Sequence, residues 1–205
     1  MNQSSGQNCW VVTINSANFD SLGLPWLYHA RRYPGIRLCV ADAGLDVQQR
    51  RKLAEDKVTL FTTESRSHFD MWAGIAGCSD DTILYTTVTD LIDPVAILDK
   101  GREKMVFGQW PAESEYYNLC KPIATITSQA KTANYIERRV AGKLGGIAAP
   151  TRLCGPSYLW KAMVGMTNLV RAYQPYPTLD AWESLAVNLF AAAYPEYTLL
   201  AEGTS

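Results

Sequence analysis

Histidine is scarce in this chain: there are two, His29 and His68, and neither stands in a pattern with serine, cysteine or aspartate that would build a nucleophilic triad. The five cysteines, Cys9, Cys39, Cys78, Cys120 and Cys154, are widely spaced and include no CxxC pair. Zinc and dithiol redox chemistry therefore have no ligand pattern to use, and reduced thiols acting as small buried apolar side chains are expected. No apolar run approaches the roughly 20 residues that a membrane span requires. The polar start MNQSSGQN lacks the basic and apolar regions of a secretory signal, so a cytoplasmic protein is expected. A glycine-rich phosphate loop after the first apolar segment is also missing, which counts against nucleotidyl transfer. No repeat, low-complexity tract or linker divides the 205 residues, of which 47% are hydrophobic. One domain over residues 1–205, with a sizeable core, is the expectation.

Net charge is close to zero, at -1, but its distribution is uneven. Residues 121–171 hold eight basic side chains, Arg152 and Lys161 among them, against the single acid Glu137; beyond Arg171 there is no Lys or Arg at all. Such a segment can offer a basic face to a diphosphate or to nucleic acid, or it can be a solvated helical surface. Trp110, Tyr116, Tyr117, Tyr135, Tyr158 and Trp160 lie in or near it and supply stacking surfaces that suit bases and sugar rings alike.

Apolar periodicity predicts a strand over 9–14 (CWVVTI), a helix over 25–33, a strand over 37–41 that runs into Asp42 and Gly44, a helix capped by Asp46 and reaching Glu55, and a strand over 58–62. This alternation is that of βαβ units, hence an α/β fold with a mostly parallel central sheet flanked by helices. A short helix is expected over 69–76, then a central strand over 82–88. Further strands are expected over 104–108 and 121–127 and a helix over 132–141, while the Gly- and Pro-rich 142–156 reads as loop or strand edge. Two more helices are expected, over 157–173 and 179–193.

The run TILYTTVTDLIDP at 82–94 carries the most information. An apolar strand that ends at Asp90 and Asp93 puts carboxylates at the rim of a sheet, where open α/β folds bind ligands, so these two are candidate metal or nucleotide contacts. They are equally suited to turn and helix-cap roles before Pro94.

Taken together, VVTIN, VADAGLD, LYTTVTDLIDP and LDAWESLAVNLF, in this order, make the chain resemble the GT-A type of nucleotide-sugar glycosyltransferase over residues 9–200. The resemblance implies a GT-A (nucleotide-diphospho-sugar transferase) fold and a nucleotide-sugar donor such as a UDP-sugar. It also implies that Thr13, Asn15 and Asp42 contact the base and ribose. The family's paired carboxylates at the end of the central strand bind a divalent cation, Mn²⁺ or Mg²⁺. Here Thr87-Val88-Thr89 stands in that place, followed by Asp90. Either Asp90 and Asp93 hold the metal in a shifted register, or basic residues such as Arg152 and Lys161 stabilise the diphosphate without one.

By the same resemblance, Asp180 or Glu183 is the carboxylate that takes the acceptor's proton if the reaction inverts. Three residues apart at a helix start, they also suit a cap and its partner. The compact length resembles small bacteriophage glycosyltransferases that modify DNA, which makes a hydroxymethylated base in duplex DNA a possible acceptor beside glycans and small molecules. The competing class is a non-catalytic α/β protein that binds nucleotide or nucleic acid.

Overall fold

β1 (Asn8–Ile14) lies inside the sheet, and its consecutive side chains Cys9, Trp10, Val11 and Val12 are all buried. A strand covered on both faces has no polar side to display, which is why it reads as an unbroken apolar run. The computed structural model describes residues 8–62, 74–75, 82–108, 152–173, 187, 190–191 and 193–201. The sequence-predicted strand at 121–127 and helix at 132–141 lie outside them, as do most of the predicted helices at 69–76 and 179–193. Gly74, Ile75, Val187, Phe190, Ala191 and Ala193 are helical.

The remaining strands are β2 (Ile36–Asp42), β3 (Thr59–Thr62), β4 (Thr82–Thr86), β5 (Met105–Gly108), β6 (Arg152–Pro156) and β7 (Thr198–Ala201). They form one sheet in the order β3-β2-β1-β4-β6-β5-β7. β3, β2, β1 and β4 are parallel; β6 runs antiparallel to both β4 and β5, and β7 is parallel to β5. The mixed, largely parallel α/β sheet expected from the sequence is thus present.

Because side chains alternate along a strand, the sheet supports two cores. On one face Trp10, Val12, Ile14 and Leu84 pack with Trp26 and Leu27 of α1 (Leu24–Ala30), Leu53 of α2 (Val47–Glu55) and Leu98 of α3 (Val95–Lys100). On the other, Val11, Ile83, Tyr85 and Phe107 pack with Trp160 and Met163 of α4 (Ser157–Tyr173) and with Phe190. Cys9, Cys39 and Cys154 are buried, and Cys9 Sγ lies within hydrogen-bond reach of Cys39 Sγ at 3.1 Å.

Local chemistry sets the boundaries. Asp46 accepts the Gln49 backbone N–H at 2.8 Å while the Gln49 side chain accepts the Asp46 N–H at 3.1 Å, a reciprocal cap that starts α2 where the sequence places it. Among the described residues no helix is long and apolar enough to cross a membrane.

Two sequence expectations change. Residues 152–156 are not loop or strand edge but β6, buried between β4 and β5. The misleading signal was Gly155, which sits where β5 packs closely: a Cβ at that position would displace Met105 Sδ and lie 3.3 Å from the Lys104 carbonyl oxygen, so glycine accommodates β5 with the least adjustment. β7, at the far edge, was not anticipated.

Candidate functional site

The chain adds β2 and β3 on one side of β1 and then crosses to place β4 on the other. The crevice beyond the carboxyl ends of β1 and β4 is therefore the topological switch point, where open α/β sheets hold ligands because the loops diverge there. Three loops meet at this edge.

The loop after β1 carries Asn15. Its backbone N–H donates to Asn18 Oδ1 at 2.9 Å and its Oδ1 accepts the Asn18 N–H at 2.9 Å, a reciprocal lock that sets the turn into the π-helical segment Phe19–Gly23. Thr13 lies one residue inside the end of β1. The loop after β2 is stitched to it by the Ala43 N–H donating to the Ile14 carbonyl at 2.9 Å and by the Ser16 N–H donating to the Gly44 carbonyl at 3.2 Å. Gly44 takes a positive φ of 111°, which explains the glycine after the carboxylate.

Asp42 closes β2, opposite Ile14, and is only 3% exposed. Its Oδ1 accepts the Gly44 and Leu45 backbone N–H groups at 2.9 and 2.7 Å, and its Oδ2 accepts Arg50 Nε at 2.6 Å. Burial works against ionisation, but the Arg50 hydrogen bond, the two backbone donors and the Arg50 charge outweigh it and hold the carboxyl below its ordinary pKa. The same pairing raises the Arg50 guanidinium. Sequence reasoning gave Arg50 no part in the site. Its position in the first turn of a helix that follows the Asp42 loop was the available signal.

β4 ends at Thr86, a buried residue whose hydroxyl accepts the Trp10 indole N–H at 2.9 Å. In the turn that follows, the Thr87 and Thr89 hydroxyls are 3.0 Å apart and the Asp90 N–H donates to the Thr87 carbonyl at 3.1 Å. Asp90 Oδ2 accepts Arg152 Nε at 3.2 Å, a contact the antiparallel register of β6 creates by setting Arg152 beside Thr86. Asp93 Oδ1 accepts the Val95 N–H at 2.9 Å, capping the start of α3. Behind this turn the His29 ring nitrogen meets the Ile92 carbonyl at 2.8 Å, a structural contact.

Thr13, Asn15, Asp42, Asp90 and Arg152 thus lie at or beside one edge of the sheet. Lys161 does not join them directly: it is exposed near the start of α4, which leaves the sheet at Pro156, beside Thr82 at the other end of β4. Asp180 and Glu183 lie outside the described residues, as do Trp110, Tyr116, Tyr117 and Tyr135. Trp160, grouped with these aromatics as a stacking surface, is fully buried instead, donating its indole N–H to the Gly155 and Ile83 carbonyls at 3.1 and 3.3 Å. Tyr158 is 55% exposed.

The described residues of this edge offer a divalent cation few free oxygen ligands. Among the described residues no three of His, Cys, Asp and Glu cluster to hold one, Asp90 is already paired with a guanidinium, and Asp93 caps its own helix.

No protein-family model matches the chain, and no curated protein matches it. Solved structures do. Galactosyltransferase LgtC, determined in complex with donor and acceptor sugar analogs, superposes with a TM-score of 0.53 at 11% identity, covering 95% of this chain and 73% of that one. A mycobacterial protein superposes with a TM-score of 0.51 at 12% identity, covering 92% and 75%. At such identities the likeness is one of architecture, and it establishes that this chain has the mixed α/β, GT-A type fold shared with LgtC.

Proposed function

We propose that this protein is a glycosyltransferase that moves a sugar from a nucleotide-diphosphate donor, a UDP-sugar above all, to an acceptor hydroxyl. One observation carries the proposal: polar and charged side chains converge at the switch-point edge of a sheet that has the fold of a sugar transferase. The donor nucleotide lies across the ends of β1, β2 and β4, with Thr13, Asn15 and the Asp42 loop against base and ribose. In the reaction the bond from the anomeric carbon to the diphosphate oxygen breaks, and its electron pair leaves with the diphosphate. The acceptor oxygen forms the new bond. In an inverting reaction the acceptor's proton passes to Asp180 or Glu183.

Thermal unfolding of the full chain with UDP-glucose, UDP-galactose or UDP alone tests the donor reading, because a ligand that binds only the folded state raises the midpoint. A larger rise with a sugar nucleotide than with UDP, together with UDP release when acceptor is added, is expected. No shift with any of them overturns the proposal. A shift with nucleotide or DNA alone, without turnover, favours the non-catalytic binding class, to which Thr87 and Thr89 in place of a carboxylate pair lend weight.

The proton acceptor is identified by Asp180→Asn and Glu183→Gln. The responsible variant is expected to lose about 100-fold or more in turnover while keeping its donor affinity, the signature of a group used only in the transition state. Loss of stability in both variants with turnover retained would return the pair to helix capping. LgtC holds an acceptor sugar analog, and sugar acceptors come first here too. A hydroxymethylated base in duplex DNA becomes the better acceptor only if such duplex binds with an affinity that falls steeply with salt.

A further inference from the structure

Building on the donor site just described, we infer that the leaving diphosphate is neutralised by the Arg152 guanidinium, oriented by Asp90, and that no divalent cation is needed for it to bind. At the end of β4 the rim of the sheet holds two carboxylates, Asp90 paired with Arg152 and Asp93 bonded to the Val95 N–H. Where a cation would need clustered carboxylate oxygens, Thr87 and Thr89 present two hydroxyls 3.0 Å apart, and the next carboxylate, Asp90, is matched one to one by Arg152. A metal ion approaching Asp90 would meet a fixed positive charge bonded to the oxygen it sought. A diphosphate would meet that same charge as a partner.

The geometry of Arg152 suits the role. It opens β6, paired with Thr86 of β4, and the following residues Leu153 and Cys154 are held by both β4 and β5. The bond to Asp90 uses Nε, and the two Nη groups carry four further N–H donors in a planar fork that matches phosphate oxygens two at a time. The side chain remains 31% exposed, so the fork is open to a ligand. Arg50 makes the same kind of Nε bond, to Asp42, but it belongs to α2 and pairs with the end of β2, two strands away from β4 in the sheet order. Asp90 then acts as a positioning residue: its Oδ2 fixes the guanidinium plane beside the crevice between β1 and β4. As the anomeric C–O bond breaks, negative charge grows on the departing diphosphate, and the guanidinium stabilises it there, with the one hydroxyl of the Thr87–Thr89 pair that is not donating to the other as a further donor.

The test is calorimetric titration of the full chain with UDP, GDP and CDP beside uridine, guanosine and cytidine, in EDTA, in Mg²⁺ and in Mn²⁺. The preferred diphosphate is expected to bind within about twofold the same in all three conditions. Arg152→Met should weaken it by about 10- to 100-fold while the parent nucleoside binds as before, and Arg152→Lys should recover part of the loss. Asp90→Asn should weaken the diphosphate by about 3- to 10-fold, again without touching the nucleoside, a selectivity that a merely structural role for Asp90 would not give. If Arg152→Met does not fold, Arg152→Lys and the wild-type comparison across EDTA and Mn²⁺ decide the matter. A gain of about tenfold or more with Mn²⁺, abolished in Asp90→Asn, would make Asp90 a metal ligand and overturn the inference. Full diphosphate affinity in folded Arg152→Met would overturn it too. Nucleoside binding to which the diphosphate adds nothing overturns this inference alone, whereas absence of binding by nucleosides and nucleotides alike overturns the donor site with it.

Discussion

Asp42→Ala is expected to cost about 2–3 kcal/mol of stability and, in the fraction that folds, to weaken nucleotide binding by about 1–3 kcal/mol. The stability loss arises because the carboxylate is the common acceptor for the Gly44 and Leu45 N–H groups, which alanine leaves without their partner in a buried loop. Arg50 adds little to that figure, since its side chain is half exposed and water can replace the lost partner. The affinity loss arises because the same loop is bonded to the loop after β1, which borders the crevice. Urea unfolding measures the first and UDP titration the second. Unchanged affinity in the folded variant would remove Asp42 from the nucleotide site and leave it as a loop staple.

The same carboxylate gives stability a pH dependence whose sign follows from its lowered pKa. The unfolded chain, with its ordinary value of 3.8, takes up the proton first as pH falls, so the stabilisation is complete above that value and is lost on descending through the lower folded value. In Asp42→Asn that portion of the acid-induced loss should vanish.

Trp160→Ala should cost more, about 3–5 kcal/mol, because the indole is a fully buried side chain between α4 and the sheet and its removal leaves a large cavity. It also bonds the Ile83 and Gly155 carbonyls, one on β4 and one on β6. Trp160→Phe isolates this second contribution and should cost about 1 kcal/mol for the lost hydrogen bonds, plus a smaller packing defect. Denaturant midpoints at constant m-value separate the two. A loss of about 1 kcal/mol or less for the alanine variant would mean that the contact between α4 and the sheet is loosely packed. Since Asp90 lies in the turn that follows β4 and Arg152 opens β6, slackening this contact should also reduce diphosphate affinity.

Some of the site was legible residue by residue. The strand ending at Asp42, the glycine two residues on, and Asp46 opening a helix are local events settled within about ten residues by burial pattern and capping, and they stand where expected. The end of β4 was legible as an acidic rim, but the partner of Asp90 was not. Arg152 follows 62 residues later, in a Gly- and Pro-bearing stretch whose turn signals outweighed its short apolar run. Trp160 was misassigned for a related reason. An aromatic beside a lysine looks the same in a sequence whether it stacks on a ligand or fills a core, and only the packing of α4 on β4 and β6 distinguishes them.

From the sequence alone come the α/β class, the first three strands with the two helices between them, and the expectation of a ligand at the carboxyl edge of the sheet, because each depends on periodicity or on contacts within one turn of chain. The tertiary structure alone decides that β6 enters antiparallel between β4 and β5, that Asp42 is saturated by its own loop and Arg50, and that a guanidinium answers Asp90. These are pairings between segments far apart in the chain. Their energies are settled by strand register and desolvation, which no local pattern encodes.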